Sequence, residues 1–210
     1  MSDKYILHYF NALARSINIK AILMSAKADW EDKPIAQNEW PKIKKSGLCE
    51  FEQMPILEID GKKKLSQSLA IDLYLLKTFN LYGKNIDEQY QIDSLLCSFD
   101  DLFGPLAGFV FCPDEKKKEE LKKQFIEKYK FYLKKYEERY VALGKGKYFL
   151  GDHFSGADIY IGSALPLFCH AIGGCIIKDN AHNLGELVKR LKEGELKEFH
   201  EKVFNKDTPF

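Results

Sequence analysis

The sequence predicts a chain of two parts, an α/β domain over residues 1–82 and an all-helical bundle over residues 83–210. In the first part, short apolar runs that end at turn residues are typical of β-strands. In the second part, apolar residues recur at helical spacing along much longer, charged stretches. The pattern changes at the stretch NLYGKNID, whose Gly and Asn residues favour a turn, so we expect the two domains to be joined there.

The elements of the first domain are expected in the order β-α-(β)-β-β-α. The run YILHYF predicts the first strand, and the helical spacing within ARSINIKAILMSAK predicts the helix that follows it. The run MPILEID, an Asp60-Gly61 turn and the run KKKLSQS together predict a β-hairpin. A further helix is expected after Ser68. Its apolar face is expected to carry Leu69, Leu73 and Leu76.

Two long helices and a capped third helix are expected in the second domain. The stretches DEQYQIDSLLCSFDDLFGPLAGFVF and DEKKKEELKKQFIEKYKFYLKKYEERYVAL each carry an apolar or aromatic stripe at helical spacing. Pro113 and Asp114 supply a break and a cap between them. Ser155 precedes Asp158 by three residues, which predicts an N-cap with the logic of a capping box. Shorter helices are expected around residues 184–191 and 196–203.

The composition argues against several classes of protein. The 32 basic and 31 acidic residues give a net charge of +1, so neither nucleic acid nor an anionic membrane is expected as the main partner. No run approaches the roughly 18 apolar residues of a membrane span, and the N-terminal region lacks a signal-peptide pattern. The five cysteines are widely spaced, and no zinc-site spacing occurs. We therefore expect a cytoplasmic protein with reduced thiols and no metal.

Two pairs of residues suit carboxylate groups. Gln67 and Ser68, at the start of a predicted helix, offer an amide, a hydroxyl and exposed backbone N–H groups where the helix dipole favours an anion. Trp40 and Lys44 lie one helical turn apart, so an indole N–H and an ammonium group can face a second carboxylate. The plainer alternatives are a simple helix cap for Ser68 and core packing for Trp40.

A proline that opens a buried strand and a pair of acidic residues complete this set. Pro55 removes one backbone donor, and a cis bond before it would turn the preceding backbone outward, where an extended peptide can pair with it. Asp100 and Asp101 suit an ammonium group. Taken singly, none of these features is specific, since Gln53, Met54 and Pro55 are equally typical of a plain strand entry. Taken together, they imply a short peptide with two carboxylates and one amine.

Six stretches of the chain resemble a glutathione S-transferase of the sigma class, the class of the glutathione-dependent prostaglandin D synthases and the cephalopod lens crystallins. They are LHYFNALAR, EWPKIK, MPILEIDG, SQSLAI, FDDLF and SGADIYI, and the similarity runs essentially end to end. The resemblance implies a thioredoxin-like N-terminal domain followed by a helical C-terminal domain. It also implies a cytoplasmic homodimer that takes glutathione as co-substrate and conjugates its thiolate to hydrophobic electrophiles.

The resemblance further implies roles for individual residues. Tyr9 is expected to donate its hydroxyl proton to the glutathione sulfur, with Arg15 behind it adding positive potential; core packing is the alternative for Tyr9. Asp101, with Asp100, is expected to reach the γ-glutamyl amine from a second subunit. The other expected glutathione contacts are Trp40 and Lys44 to the glycine carboxylate, Gln53, Met54 and Pro55 around the cysteinyl residue, and Gln67 and Ser68 to the γ-glutamyl carboxylate. The expected electrophile pocket is lined by Leu13, Phe103, Phe111 and Tyr160, for each of which core packing is the alternative.

Three departures from the family pattern open competing interpretations. The family usually has Arg-Gly-Arg where this chain has Leu13, Ala14 and Arg15, and it usually has glycine where Glu52 stands. These changes favour a binding or structural protein that keeps the fold and catalyses weakly. Cys97 stands where the prostaglandin-synthase branch has a further aspartate for a divalent cation, which argues against a metal-activated synthase. A glutathione-dependent prostaglandin or lipid isomerase, or a peroxidase, is the enzymatic alternative.

Overall fold

The computed structural model describes residues 3–204, which form two compact units. The first unit ends at Asn80 and takes in the chain again from Glu198, and the second unit spans Leu81–Lys197. The first contains a sheet with helices and the second is helical, so the expected fold class is confirmed. The expected domain limits of 1–82 and 83–210 extend to chain ends outside the described residues, and they stay a prediction.

The first unit is built on a mixed four-stranded sheet. The strands lie in the order β2-β1-β3-β4, with β1 parallel to β2 and antiparallel to β3, and β3 antiparallel to β4. The hairpin expected at Asp60 and Gly61 joins β3 to β4, and both residues have the positive φ that tight turns favour. The elements of this unit are β1 (Lys4–Tyr9), a 3-10 turn (Ala14–Ser16), α1 (Ile17–Ser25), β2 (Asp29–Pro34), α2 (Trp40–Lys44), β3 (Ile56–Ile59), β4 (Lys63–Ser66) and α3 (Ser68–Thr78).

The buried face of α3 differs from the expected one. Leu69 and Leu73 are only half-buried, whereas Ile71 is fully buried and Asp72 is 1% exposed. Asn18 of α1 explains the difference, because its Nδ2 donates a hydrogen bond to Asp72 Oδ2 at 3.4 Å. The face of α3 that carries the aspartate therefore lies against α1. An apolar pattern alone does not reveal a polar pair within the contact surface.

The second unit contains the two expected long helices and the expected caps. Asp114 accepts a hydrogen bond from the Lys117 backbone N–H at 2.9 Å and begins the second long helix. Ser155 and Asp158 form the expected capping box. A short helix that the sequence pattern did not predict follows the capped helix. The helices that follow, to the end of the described residues, are α4 (Ile86–Val110), α5 (Glu115–Ala142), α6 (Gly156–Ile172), α7 (Ile177–Asn180), α8 (His182–Glu193) and α9 (Lys197–Lys202). Helix α9 begins at Lys197, the last residue of the second unit, and its remaining residues belong to the first unit.

Aromatic rings form the core of the second unit. Phe168 of α6 is fully buried, with ring-centroid distances of 5.4–6.2 Å to its aromatic neighbours on α4 and α5. Those neighbours are Phe99, Phe103, Phe125 and Tyr129. Such contacts stabilise beyond the area that the rings bury, so they hold the three helices together. Among residues 3–204, no helix is both long enough and apolar enough to cross a membrane.

Candidate active site

Several of the residues expected to bind a peptide converge at one edge of the sheet in the first unit. Strands β1 and β4 both end at this edge, and β3 begins there because it runs antiparallel to both. In the register, His8 pairs with Ile56, which in turn pairs with Ser66. Tyr9, which ends β1, and Pro55, which precedes β3, therefore lie at the same edge as the start of α3.

The Tyr9 hydroxyl is positioned by the backbone of the turn after β1. The side chain is 8% exposed, and the Arg15 backbone N–H donates a hydrogen bond to the hydroxyl. Burial raises the pKa of Tyr9, and this hydrogen bond and the Arg15 charge oppose the rise. The hydroxyl therefore keeps its proton at neutral pH and can donate it to a ligand. The turn contains Ala14 at φ 26°, a region that residues other than glycine seldom adopt.

Helix α2 is held beside the end of β1 and beside the loop before β3. The rings of Phe10 and Trp40 meet edge to face with centroids 5.8 Å apart. Lys44 Nζ lies 3.4 Å from Glu52 Oε2, with the two side chains 41% and 56% exposed. An ion pair this exposed contributes about 1 kcal/mol or less. The sequence singled out Glu52 as a departure but did not predict that it pairs with Lys44, one of the expected ligand-binding residues.

The start of α3 carries a strained residue and a buried serine. Gln67 adopts φ 70° and ψ 111°, an uncommon conformation of the kind that clusters at ligand sites. Its Nε2 donates a hydrogen bond to Gln53 Oε1 at 3.2 Å, which joins the loop before β3 to the start of α3. Ser68 is the first helical residue and is 9% exposed. The first-turn N–H groups of a helix lack intrahelical acceptors, so this end favours an anion. The Met54–Pro55 peptide bond, which directly precedes β3, is cis.

A buried ionisable group near this site was missing from the expected residues. Asp72 lies one helical turn after Ser68, and burial raises its pKa well above the ordinary value, opposed by the hydrogen bond from Asn18. Because it joins α3 to α1, Asp72 positions the start of α3 and is not assigned a ligand contact. The available signal was an acidic residue inside the apolar stretch SLAIDLYLL.

The expected acidic residues belong to the second unit. Asp100 and Asp101 lie in α4. The Tyr132 hydroxyl of α5 donates a hydrogen bond to Asp101 Oδ2 at 3.1 Å, and Lys128 Nζ donates to the Asp101 carbonyl at 2.8 Å. Within residues 3–204, no group of three or more His, Cys, Asp or Glu side chains is placed to hold a metal ion. The roles of Asp100 and Asp101 toward an amine stay predictions.

The residues expected to line an electrophile pocket differ in exposure. Leu13 is 1% exposed in the first unit. In the second unit, Tyr160 is fully buried and packs edge to face against Phe99, and Phe103 is 8% exposed. Phe111, which follows α4, is 69% exposed. Three of the four therefore contribute to the core of their own unit, and the pocket itself stays a prediction.

Comparisons with known proteins match both parts of the chain to one family. The profile described as the glutathione S-transferase N-terminal domain matches residues 6–77, and the profile described as the C-terminal domain matches residues 100–205. Glutathione S-transferase A of Cavia porcellus is 34% identical over 168 residues, which cover 76% of this chain and 73% of that protein. S-crystallin SL11 of Nototodarus sloanii is 33% identical over 163 residues, covering 77% of this chain and 78% of that protein.

A solved structure shows the same fold over nearly the whole length. The structure of prostaglandin synthase D of Nilaparvata lugens superimposes with a TM-score of 0.81 and 29% sequence identity, covering 95% of this chain and 98% of the other. The two matching profiles and the relatives above 30% identity agree on one family, which uses glutathione as co-substrate. This chain therefore belongs to the glutathione S-transferase family, with its thioredoxin-like N-terminal domain and helical C-terminal domain.

Proposed function

We propose that this protein is a cytoplasmic, homodimeric glutathione transferase in which Tyr9 stabilises the glutathione thiolate. The observation that carries the proposal is the buried Tyr9 hydroxyl at the sheet edge, which accepts a hydrogen bond from the Arg15 N–H. An oxygen that already accepts one bond and keeps its own proton is suited to donate that proton. A free thiol has a pKa of about 8.5, and only the thiolate is the nucleophile. A donor directed at the sulfur favours the ionised form and so lowers the pKa of the bound thiol.

The glycine carboxylate of glutathione is assigned to Trp40 and Lys44. Trp40 lies beside the end of β1 through its contact with Phe10, so its indole N–H is near the same edge as Tyr9. The ammonium group of Lys44 is engaged by Glu52 at 3.4 Å. Because that pair is exposed and weak, a ligand carboxylate can replace the Glu52 carboxylate. We expect the replacement to cost some affinity and to leave the tripeptide site usable with glutamate at this position.

The rest of the tripeptide is assigned to the loop before β3 and the start of α3. The Met54 backbone, next to Pro55, pairs with the cysteinyl residue, and Gln53 lies beside it. Gln67 and Ser68 hold the γ-glutamyl carboxylate, where the first turn of α3 adds backbone N–H groups. Asp101 of the partner subunit, with Asp100, binds the γ-glutamyl amine, so the dimer completes the site.

The reaction is an addition to, or a substitution on, an electrophilic carbon. The glutathione thiolate attacks that carbon, a carbon–sulfur bond forms, and either a leaving group departs with its electron pair or the adjacent atom takes up the charge. The electrophile pocket is assigned to Leu13, Phe103, Phe111 and Tyr160, of which Phe111 is exposed and the other three are buried in their own units. Their apolar character favours a hydrophobic substrate.

The sigma class is the finer assignment that we propose. The identities of 34% to a glutathione S-transferase A and 33% to an S-crystallin do not separate the classes, so the assignment depends on the six motifs quoted above. The similarity to a prostaglandin synthase structure favours, as the second candidate, a glutathione-dependent isomerase or peroxidase acting on lipids. A catalytically weak binding protein is the third, and the Lys44–Glu52 pair favours it.

The decisive experiment is a pH titration of glutathione bound to the wild-type protein, followed by thiolate absorbance. We expect the bound thiol to ionise below its free pKa of about 8.5, and S-methylglutathione serves as the control that cannot ionise. Turnover of a model electrophile then separates a transferase from a binding protein, and product analysis with a prostaglandin endoperoxide separates it from an isomerase. Binding with an unshifted thiol pKa, or no binding, contradicts the proposal.

A further inference from the structure

A pair of thiols in the second unit lies outside the proposed glutathione site. Cys169, in the last turn of α6, is buried, and Cys175, beyond the end of that helix, is exposed. Their Sγ atoms are 3.4 Å apart. A disulfide has an S–S distance of about 2.05 Å, so the two sulfur atoms need to approach by about 1.4 Å to form one.

The sequence CHAIGGC produces this proximity through a helix-terminating turn. Gly173 adopts the left-handed conformation at φ 79°, and its N–H donates to the His170 carbonyl at 3.1 Å. The Gly174 N–H donates to the Cys169 carbonyl at 3.1 Å. These two hydrogen bonds define a Schellman motif, which reverses the chain direction and returns Cys175 to the side of Cys169. A Cβ added at either glycine would meet nothing within 4 Å, so no neighbouring side chain packs against the turn at these two positions.

The two thiols have different surroundings and therefore different roles. The Tyr129 hydroxyl donates to the Leu165 carbonyl at 2.9 Å and lies 3.8 Å from Cys169 Sγ. Burial, with the nearby Cys175 as a second cause, raises the pKa of Cys169 to about 12, so Cys169 stays a thiol at neutral pH. Cys175 faces solvent and is the sulfur that an oxidant reaches first.

We propose that Cys169 and Cys175 form a redox site, in which a hydroperoxide oxidises Cys175 and Cys169 then closes an intramolecular disulfide. In the first step, the Cys175 sulfur attacks the terminal peroxide oxygen and the O–O bond breaks. The thiol proton passes to the departing oxygen, so an alcohol or water leaves and a sulfenic acid remains. In the second step, the Cys169 thiol passes its proton to the sulfenic hydroxyl as its Sγ attacks the sulfenic sulfur, the S–O bond breaks, and water leaves. Two thiols are oxidised by two electrons, and the hydroperoxide is reduced by two. The proposal does not depend on the transferase function.

The test is a mass measurement on the full-length protein. The reduced protein is treated with hydrogen peroxide, unfolded in the presence of N-ethylmaleimide and digested with trypsin, which leaves both thiols in the peptide of residues 148–178. We expect this peptide to lose two hydrogen atoms and all maleimide labelling, and dithiothreitol to restore both. Cys97 and Cys112 lie together in the tryptic peptide of residues 85–116, which is the internal control. Cys97 is in α4 and Cys112 follows its end, so the helical rise separates them by about 22 Å, and this peptide should form no intramolecular disulfide at the same dose.

Two variants make the order of events testable. Cys175→Ser changes an exposed position and should leave Cys169 fully reduced after peroxide, whereas the matched exposed variant Cys97→Ser should leave disulfide formation unchanged. Cys169→Ala should accumulate Cys175 sulfenic acid, which dimedone traps. The proposal is overturned if wild-type peptide 148–178 keeps both maleimide labels while Cys97 is oxidised. It is equally overturned if Cys175 proceeds to sulfinic acid with Cys169 still labelled.

Discussion

Replacing Tyr9 with phenylalanine removes one oxygen atom and keeps the ring, so the Tyr9→Phe variant isolates the proposed donor. The ring is 8% exposed and its packing is retained, so the fold should be unchanged. A hydrogen bond to a charged group contributes about 1.5–3 kcal/mol. Since one pKa unit corresponds to about 1.4 kcal/mol, the pKa of the bound glutathione thiol should rise by about one to two units. At a pH below both values, the thiolate fraction and the conjugation rate should then fall about 10- to 100-fold.

The assay is the same thiolate titration, combined with the rate of conjugation across pH. The two rate profiles should converge at high pH, where glutathione is ionised in both proteins, because the hydroxyl acts only on the ionisation. Tyr5→Phe is the matched control, since Tyr5 lies in the same strand, is 3% exposed and packs against Phe79. Equal thiol pKa values in Tyr9→Phe and wild type would refute the catalytic assignment. Loss of glutathione binding in Tyr9→Phe would show instead that the hydroxyl acts in binding.

Two further substitutions test the ligand site and the stability of the second unit. Glu52→Gln removes the carboxylate that pairs with Lys44. The KM for glutathione should then fall about two- to five-fold, which corresponds to the free energy of one surface ion pair, and kcat should not change. Glu50→Gln is the control, and an unchanged KM in Glu52→Gln would argue against the contact between Lys44 and glutathione. Asp158→Ala removes the acceptor of the Phe149 and Ser155 N–H groups, at 2.7 and 2.9 Å, and leaves both buried. Each buried N–H group left without an acceptor costs about 1–3 kcal/mol. The free energy of unfolding measured in urea should therefore fall by about 2–6 kcal/mol at an unchanged m-value. A fall of less than about 1 kcal/mol would contradict this account.

The features that could be predicted from sequence are those that a few neighbouring residues specify. The hairpin at Asp60 and Gly61, the capping box of Ser155 and Asp158 and the cap at Asp114 were all predicted, and the structure confirms them. Each depends on backbone conformations and hydrogen bonds within about four residues, and particular residue types favour them. The buried face of α5 could also be predicted, because aromatic residues at helical spacing fall on one side of the helix whatever the helix packs against.

The tertiary structure decided how residues distant in sequence meet. Lys44 pairs with Glu52 and Gln67 with Gln53 because the loop before β3 and the positive φ of Gln67 bring those side chains together. No periodic pattern encodes such a loop conformation. The burial of Asp72 also depends on a residue distant in sequence, because Asn18, which donates a hydrogen bond to its carboxyl group, lies on α1.

The sequence by itself determined the order of the elements, their caps and the types of chemical group available to a peptide ligand. Only the fold decided that the Tyr9 hydroxyl receives its hydrogen bond from the Arg15 backbone and which charges are already paired. The physical reason is the range of the interactions. Secondary-structure propensity and capping depend on residues close together in the sequence. Burial, ion pairs and the direction in which a hydroxyl group points depend on the packing of the whole domain.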